Sequence, residues 1–201
     1  MMIRLKKTWS AFPVGSVLLS LFLFLFLPCL ANSNTYSVHS EEREKWLMRA
    51  GLDLFPSLLA ADTNITQKRG ADGKLLLILA YVDDKQAATE MAHYLLTIQQ
   101  IRNIPIRIEL RPSASFVNNT DTLPAGIFLT QRLGSDLQAI INYGRKHHII
   151  VFSPFEADVE HGVLGGIVVR ERILPYINVK TMHSSDIEIK PFFLRIAKRY
   201  E

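Results

Sequence analysis

Residues 74–101 read "KLLLILAYVDDKQAATEMAHYLLTIQQI", and this stretch decides the fold. Residues 74–82 are a continuous apolar run without polar alternation, the pattern of a strand buried on both faces of a parallel sheet. From Asp83 the period changes. Ala87, Met91, Tyr94, Leu95, Ile98 and Ile101 make one helical stripe, with Asp83 or Asp84 placed to cap the first turn.

The same alternation continues on both sides. "EEREKWLMRAGLDLFPSLLAA" (41–61) reads as a helix with Leu47, Ala50, Leu54 and Leu58 at helical spacing, kinked or split at Pro56. Strands are expected at "IPIRIEL" (104–110), "AGIFLT" (125–130) and "HIIVFS" (148–153), and a helix at "LGSDLQAIINYGRKH" (133–147). "GVLGGIVV" and "RILPYIN" read as a hairpin. "SSDIEIKPFFLRIAKRYE" then gives a short strand and a last helix, with Phe193, Ile196, Ala197 and Tyr200 as its stripe. Adjacent helical residues diverge by about 100°, so Phe192 and Phe193 cannot both face inward, and one of them is a candidate subunit contact. The order predicts a single α/β domain: a largely parallel mixed sheet flanked by helices, closed by a C-terminal β-hairpin and helix.

The N-terminus reads as an export signal over residues 1–31. Arg4, Lys6 and Lys7 precede an apolar run to Leu27, and "PCLA" then offers small residues at Cys29 and Ala31 for cleavage. The alternative is an uncleaved anchor, since the run approaches bilayer-spanning length. Pro28 beside Cys29 argues against acylation of that cysteine. Residues 32–40, "NSNTYSVHS", are polar and small and read as a disordered lead, so that the domain spans 41–201.

Composition narrows the function. The chain has 23 Lys+Arg and 19 Asp+Glu; without the three basic residues of the leader it has 20 against 19. The isoelectric point of about 9.2 therefore belongs partly to the leader and does not argue for nucleic-acid binding. Cys29 is the only cysteine, so an exported domain would have no disulfide, thiol nucleophile or thiolate metal site.

No catalytic signature is present. The glycines of "HGVLGG" (161–166) are spaced G-x-x-G-G and run into β-branched residues, whereas a dinucleotide fingerprint needs G-x-G-x-x-G opening a helix. Their expected roles are a tight turn at Gly162 and a bulge or close backbone approach at Gly165 and Gly166. There is no phosphate loop, H-E-x-x-H pair or G-x-S-x-G elbow, and no cofactor is expected. His147 and His148 stand at a helix-to-strand handover and should diverge. The acidic loop "FEADVEHG" (155–162) carries Glu156, Asp158, Glu160 and His161 and follows one central strand; Asp83 and Asp84 follow another. Carboxyl ends of parallel strands border the usual ligand crevice, so these six residues form the candidate ligand or partner surface. A divalent cation or small cationic ligand is the occupant that carboxylates would suit; the competing reading is a helix cap and a solvated loop.

The C-terminal third, "IIVFSPF", "HGVLGGIVV", "PYINVKTM" and "SSDIEIKPFFLRIA", resembles the closing segment of the YfiR-like family of exported bacterial proteins. Gly165 and Gly166 match its glycine pair and Asn178 its strand-ending Asn; Ile187, Ile189, Leu194 and Ala197 match its closing elements. Phe55-Pro56 stands where the family carries Trp-Pro. Known members carry disulfides, which this domain lacks the cysteines to form. The resemblance implies a non-catalytic periplasmic regulator that binds the periplasmic part of an inner-membrane signalling protein, a diguanylate cyclase or a sensor kinase, and modulates its output. Asn178 would then be structural, bonding turn backbone. A homodimer is compatible with the same reading.

Overall fold

A computed structural model describes residues 33–117 and 122–201, with side chains for 41–116 and 122–201. The export segment 1–31, with Cys29, lies outside the described residues. The chain clusters into two units, Met1–Arg43 and Glu44–Glu201. Among the described residues, the first holds the opening of helix α1, Ser33–Ala61, and the sheet belongs to the second.

Among the described residues, eight strands form one sheet in the order β2-β3-β1-β4-β5-β6-β7-β8. They are β1 (Leu75–Tyr81), β2 (Gln100–Ile101), β3 (Ile104–Pro112), β4 (Gly126–Leu129), β5 (Ile150–Ser153), β6 (Gly165–Val169), β7 (Ile173–Asn178) and β8 (Lys198–Tyr200). β3, β1, β4, β5 and β6 run parallel; β2 and β7 are antiparallel to their neighbours β3 and β6, and β8 runs parallel to β7. The helices after α1 are α2 (Lys85–Leu96), α3 (Leu137–Lys146), α4 (Glu156–Glu160), α5 (Val179–Ser184) and α6 (Pro191–Ile196). The chain is thus an α/β domain with a mostly parallel mixed sheet flanked by helices.

β1 is buried along six of its seven residues, as an unbroken apolar strand requires. Its Leu75, Leu77 and Leu79 pack with Leu95 of α2, Leu52 and Phe55 of α1 and Phe193 of α6. Leu76, Ile78 and Ala80 pack on the other face with Ile140, Ile141 and Tyr143 of α3. Phe55, Phe128 and Phe152 meet pairwise at 5.5–5.6 Å, which seats α1 across β4 and β5.

Four expectations are corrected. Helical backbone begins at Ser33 instead of a lead ending at residue 40, because "SNTYSVHS" contains no Pro or Gly and adding turns to a formed helix is cheap. Pro56 does not split α1, since the residues on both sides of it, Phe55, Leu58 and Leu59, are fully buried and hold the two halves together. The buried face is rotated by about one residue, to Met48, Leu52, Phe55 and Leu58, with Leu47, Ala50 and Leu54 only partly buried. The last helix stops at Ile196 and the chain ends in β8. Ile196 and Tyr200 are exposed, because Lys198–Tyr200 pair with the otherwise open edge of β7.

The glycine pair has a steric reason. β6 joins β5 through only Phe152↔Gly165 and Ser153↔Gly166. A Cβ on Gly165 would meet a methyl of Leu58; one on Gly166 would meet the Ser153 carbonyl oxygen and Val159 Cγ2. The Leu58 methyl can turn aside and the Ser153 carbonyl, held in the sheet, cannot. Gly166→Ala should therefore destabilise the protein by about 2–3 kcal/mol, and more than Gly165→Ala, in urea unfolding.

Candidate functional site

The carboxyl ends of β1, β4 and β5 are where an α/β sheet ordinarily takes a ligand. The chain leaves β1 for β3 on one side and returns to β4 on the other, so the crevice lies between the ends of β1 and β4. Gln131, the second residue after β4, spans these ends and is half-buried. Its Oε1 accepts from three successive backbone N–H groups, Val82 (2.8 Å), Asp83 (3.3 Å) and Asp84 (3.3 Å), while its Nε2 donates to Asp83 Oδ1 at 2.7 Å. The amides that could cradle an anion are thus occupied by a neutral oxygen of the chain itself, with two carboxylates beside them.

The six expected surface residues each have a local role. Asp84 is the N-cap of α2, accepting from Ala87 N at 2.8 Å, and Asp83 binds Gln131. The stretch read as an acidic loop is the short helix α4. Phe155 and Val159 bury its inner side, which turns an apparently solvated run into an amphipathic turn. Glu156 accepts from Arg170 at 2.8 Å, Glu160 accepts from the Tyr176 hydroxyl at 3.2 Å, and His161 caps the helix C-terminus. Asp158 is not on the surface: it is 8% exposed and accepts from Ser153 Oγ at 2.6 Å. Asp83, Asp84, Glu160 and His161 are exposed and Glu156 is half-buried. Among the described residues, no three His, Cys, Asp or Glu side chains are grouped to hold a metal ion.

Burial pushes the Asp158 carboxyl above the ordinary range, with the Ser153 hydrogen bond and the charges of Arg132 and His161 pulling it partly back. Burial, reinforced by Glu160, pushes the Tyr176 hydroxyl up to about 12, so it stays a donor to Glu160 at neutral pH.

Asn178 ends β7 and caps α5. Its Oδ1 accepts from Thr181 N (2.8 Å) and its Nδ2 donates to the Val159 carbonyl (2.8 Å). Gly162, at φ +114°, makes the turn after α4.

Sequence reasoning missed three polar groupings. Gln131 is one; a polar residue directly after an apolar strand was its only signal. At the amino ends of the strands, buried Asp62 pairs with Lys68 (2.7 Å), and Lys68 also donates to the His148 carbonyl (2.7 Å). They line a cleft of about 270 Å³ with Asn64, Gln67, His147 and Asp186. His147 and His148 diverge: one ring packs against Tyr143, and the other bonds the Ser185 carbonyl. Burial lowers the His147 pKa. The third grouping is Arg111 and Tyr143, both buried. Arg111 holds Glu109 through Nε (3.1 Å) and Nη2 (2.7 Å), and its guanidinium faces the Tyr143 hydroxyl, partly offsetting the upward push that burial gives that hydroxyl's pKa.

Neither a known protein family nor a curated protein matches the chain. Among solved structures it is similar to a conserved domain protein from Vibrio cholerae, at 14% identity and TM-score 0.50 over 67% of this chain and 57% of that one. It is also similar to an ABC domain in complex with L-Trp from Streptococcus pneumonia, at 12% identity and TM-score 0.49 over 71% of this chain and 60% of the other. The chain thus spans about 60% of the length of these neighbours, and at such identity the likeness to the Vibrio protein shows a shared α/β fold alone.

Two outcomes follow from the site. Gln131→Ala removes the acceptor of three exposed amides, which water can replace, and should cost about 0.5–1.5 kcal/mol in urea unfolding. For Asp158, a folded pKa above the unfolded value of about 3.9 means that its stabilising contribution is present below that value and is lost as pH rises through the raised one. Asp158→Asn should therefore remove a decline in stability that begins as pH rises above about 4, read as the wild-type-minus-variant difference at each pH.

Proposed function

We propose that the chain is a non-catalytic periplasmic regulator of YfiR-like type, which binds the periplasmic part of an inner-membrane signalling protein and biases its output. The observation that carries this reading is the crevice spanned by Gln131: at the usual small-ligand position of the fold, a side chain of the protein holds the backbone amides. Asp83, Asp84, Glu156 and Glu160 each accept a hydrogen bond from a donor of this chain, which favours contact with a partner over a ligand module at 155–162. Asp83, Asp84, Glu160 and His161 are exposed and suited to polar contacts with a partner; charges at the edge of an interface set encounter rate and choice of partner more than tightness.

Acting on a signalling protein needs no chemistry. A regulator that binds one of two conformations of its partner moves the population toward that one, by as much as its affinities for the two differ. A diguanylate cyclase is the partner class best matched to the resemblance, with a sensor kinase second. Export by a cleaved leader, or retention by an uncleaved one, places the domain on the same side of the membrane.

The reading predicts that deleting the gene raises cellular cyclic di-GMP. Exported protein should restore the level, and a form lacking residues 1–31 should not. An unchanged level on deletion, with no change in the phosphorylation of any sensor kinase, would overturn it.

A further inference from the structure

The C-terminal stretch 190–200, "KPFFLRIAKRY", leaves a surface that the proposed regulation does not use. Phe193 of α6 enters the core, while Phe192 and Ile196 are 51% and 57% exposed. Four residues apart on a helix, the two lie together on its outer face. Lys190, Arg195, Lys198 and Arg199 flank them in the sequence, and no acid occurs between Glu188 and Glu201. Glu188 accepts from Thr63 Oγ1 at 3.2 Å. Among the described residues, Lys190, Arg195 and Arg199 make no ion pair, and Lys198 lies over the Tyr176 ring at 5.2 Å.

We propose that α6 and the start of β8 dock on an anionic lipid surface, with Phe192 and Ile196 entering the headgroup boundary and Arg195 and Arg199 meeting lipid phosphates. Apolar side chains flanked by Lys and Arg are the composition of an interfacial membrane contact. The charge complementarity selects the occupant. A second copy meeting this face about a two-fold axis would bring Arg195 and Arg199 toward their own equivalents, and like charges oppose that contact. Anionic headgroups satisfy the basic residues and the apolar pair together. Such a contact would set the domain's orientation at the membrane, and it stands whether or not the partner is the one proposed above.

Because the apolar N-terminus of the full chain can itself hold vesicles, the test reads the patch locally. Hydrogen exchange is followed on the full chain with phosphatidylglycerol vesicles and with phosphatidylcholine vesicles. Amides of residues 192–200 should be protected on the anionic vesicles and not on phosphatidylcholine, because each basic side chain near an anionic surface favours the bound state about fivefold. Phe192→Ser/Ile196→Ser and Arg195→Gln/Arg199→Gln should each abolish the difference; all four positions are solvent-exposed, so the fold should survive. Equal exchange on both lipids overturns the proposal. So does protection that persists in both variants, or that appears without lipid as protein concentration rises.

Discussion

The structure depends on the close approach of β5 and β6 at Gly165 and Gly166. β6 carries the antiparallel end of the sheet, yet it is joined to the parallel part through two residue pairs. One glycine lies beneath Leu58 of α1 and the other against the Ser153 carbonyl and Val159 of α4, so helices close on β6 from both faces. Asn178 then ties the end of β7 to the Val159 carbonyl and to the first turn of α5. One pair of missing side chains thus sets the position of α1, α4, the hairpin and the elements after it. The stretch that first suggests a phosphate loop is a steric device for building a sheet.

A second consequence concerns the sheet's carboxyl edge. In many α/β domains the backbone amides after the first strand stay free for a ligand. Here Gln131 satisfies three of them, Asp84 caps α2, and Asp158 and Glu160 are bound by Ser153 and Tyr176. The side chains at this edge are thus tied first to the chain's own backbone and hydroxyl groups.

The sequence made the layered architecture legible because that information is local. Unbroken apolar strands and helical spacing after Asp83 point to a parallel sheet between helices, and β1 is buried on both faces, although the helix stops at Leu96, buries Ala88, Ala92 and Leu95, and leaves Gln100–Ile101 to β2. The resemblance drew attention to Gly165, Gly166 and Asn178 without supplying their contacts. What was not legible is set by distant partners. Lys198–Tyr200 has no strand pattern of its own, and the helical period from Phe193 runs straight through it; only the open edge of β7 makes it a strand. Glu156–Glu160 reads as a wet loop because its charges outnumber its apolar residues, and burial of Asp158 follows from Ser153 five residues earlier. Gln131 gives no signal because its role depends on amides 47–49 residues away.

The central claim is that this domain acts through contact with a membrane signalling protein. The most direct measurement is chemical cross-linking of the full chain in intact cells, followed by mass spectrometry of the linked peptides. The account predicts recurrent links from this domain to the extracytoplasmic part of one inner-membrane cyclase or kinase. Native mass spectrometry showing the purified chain loaded with a small molecule or metal ion, together with no such links, would contradict it.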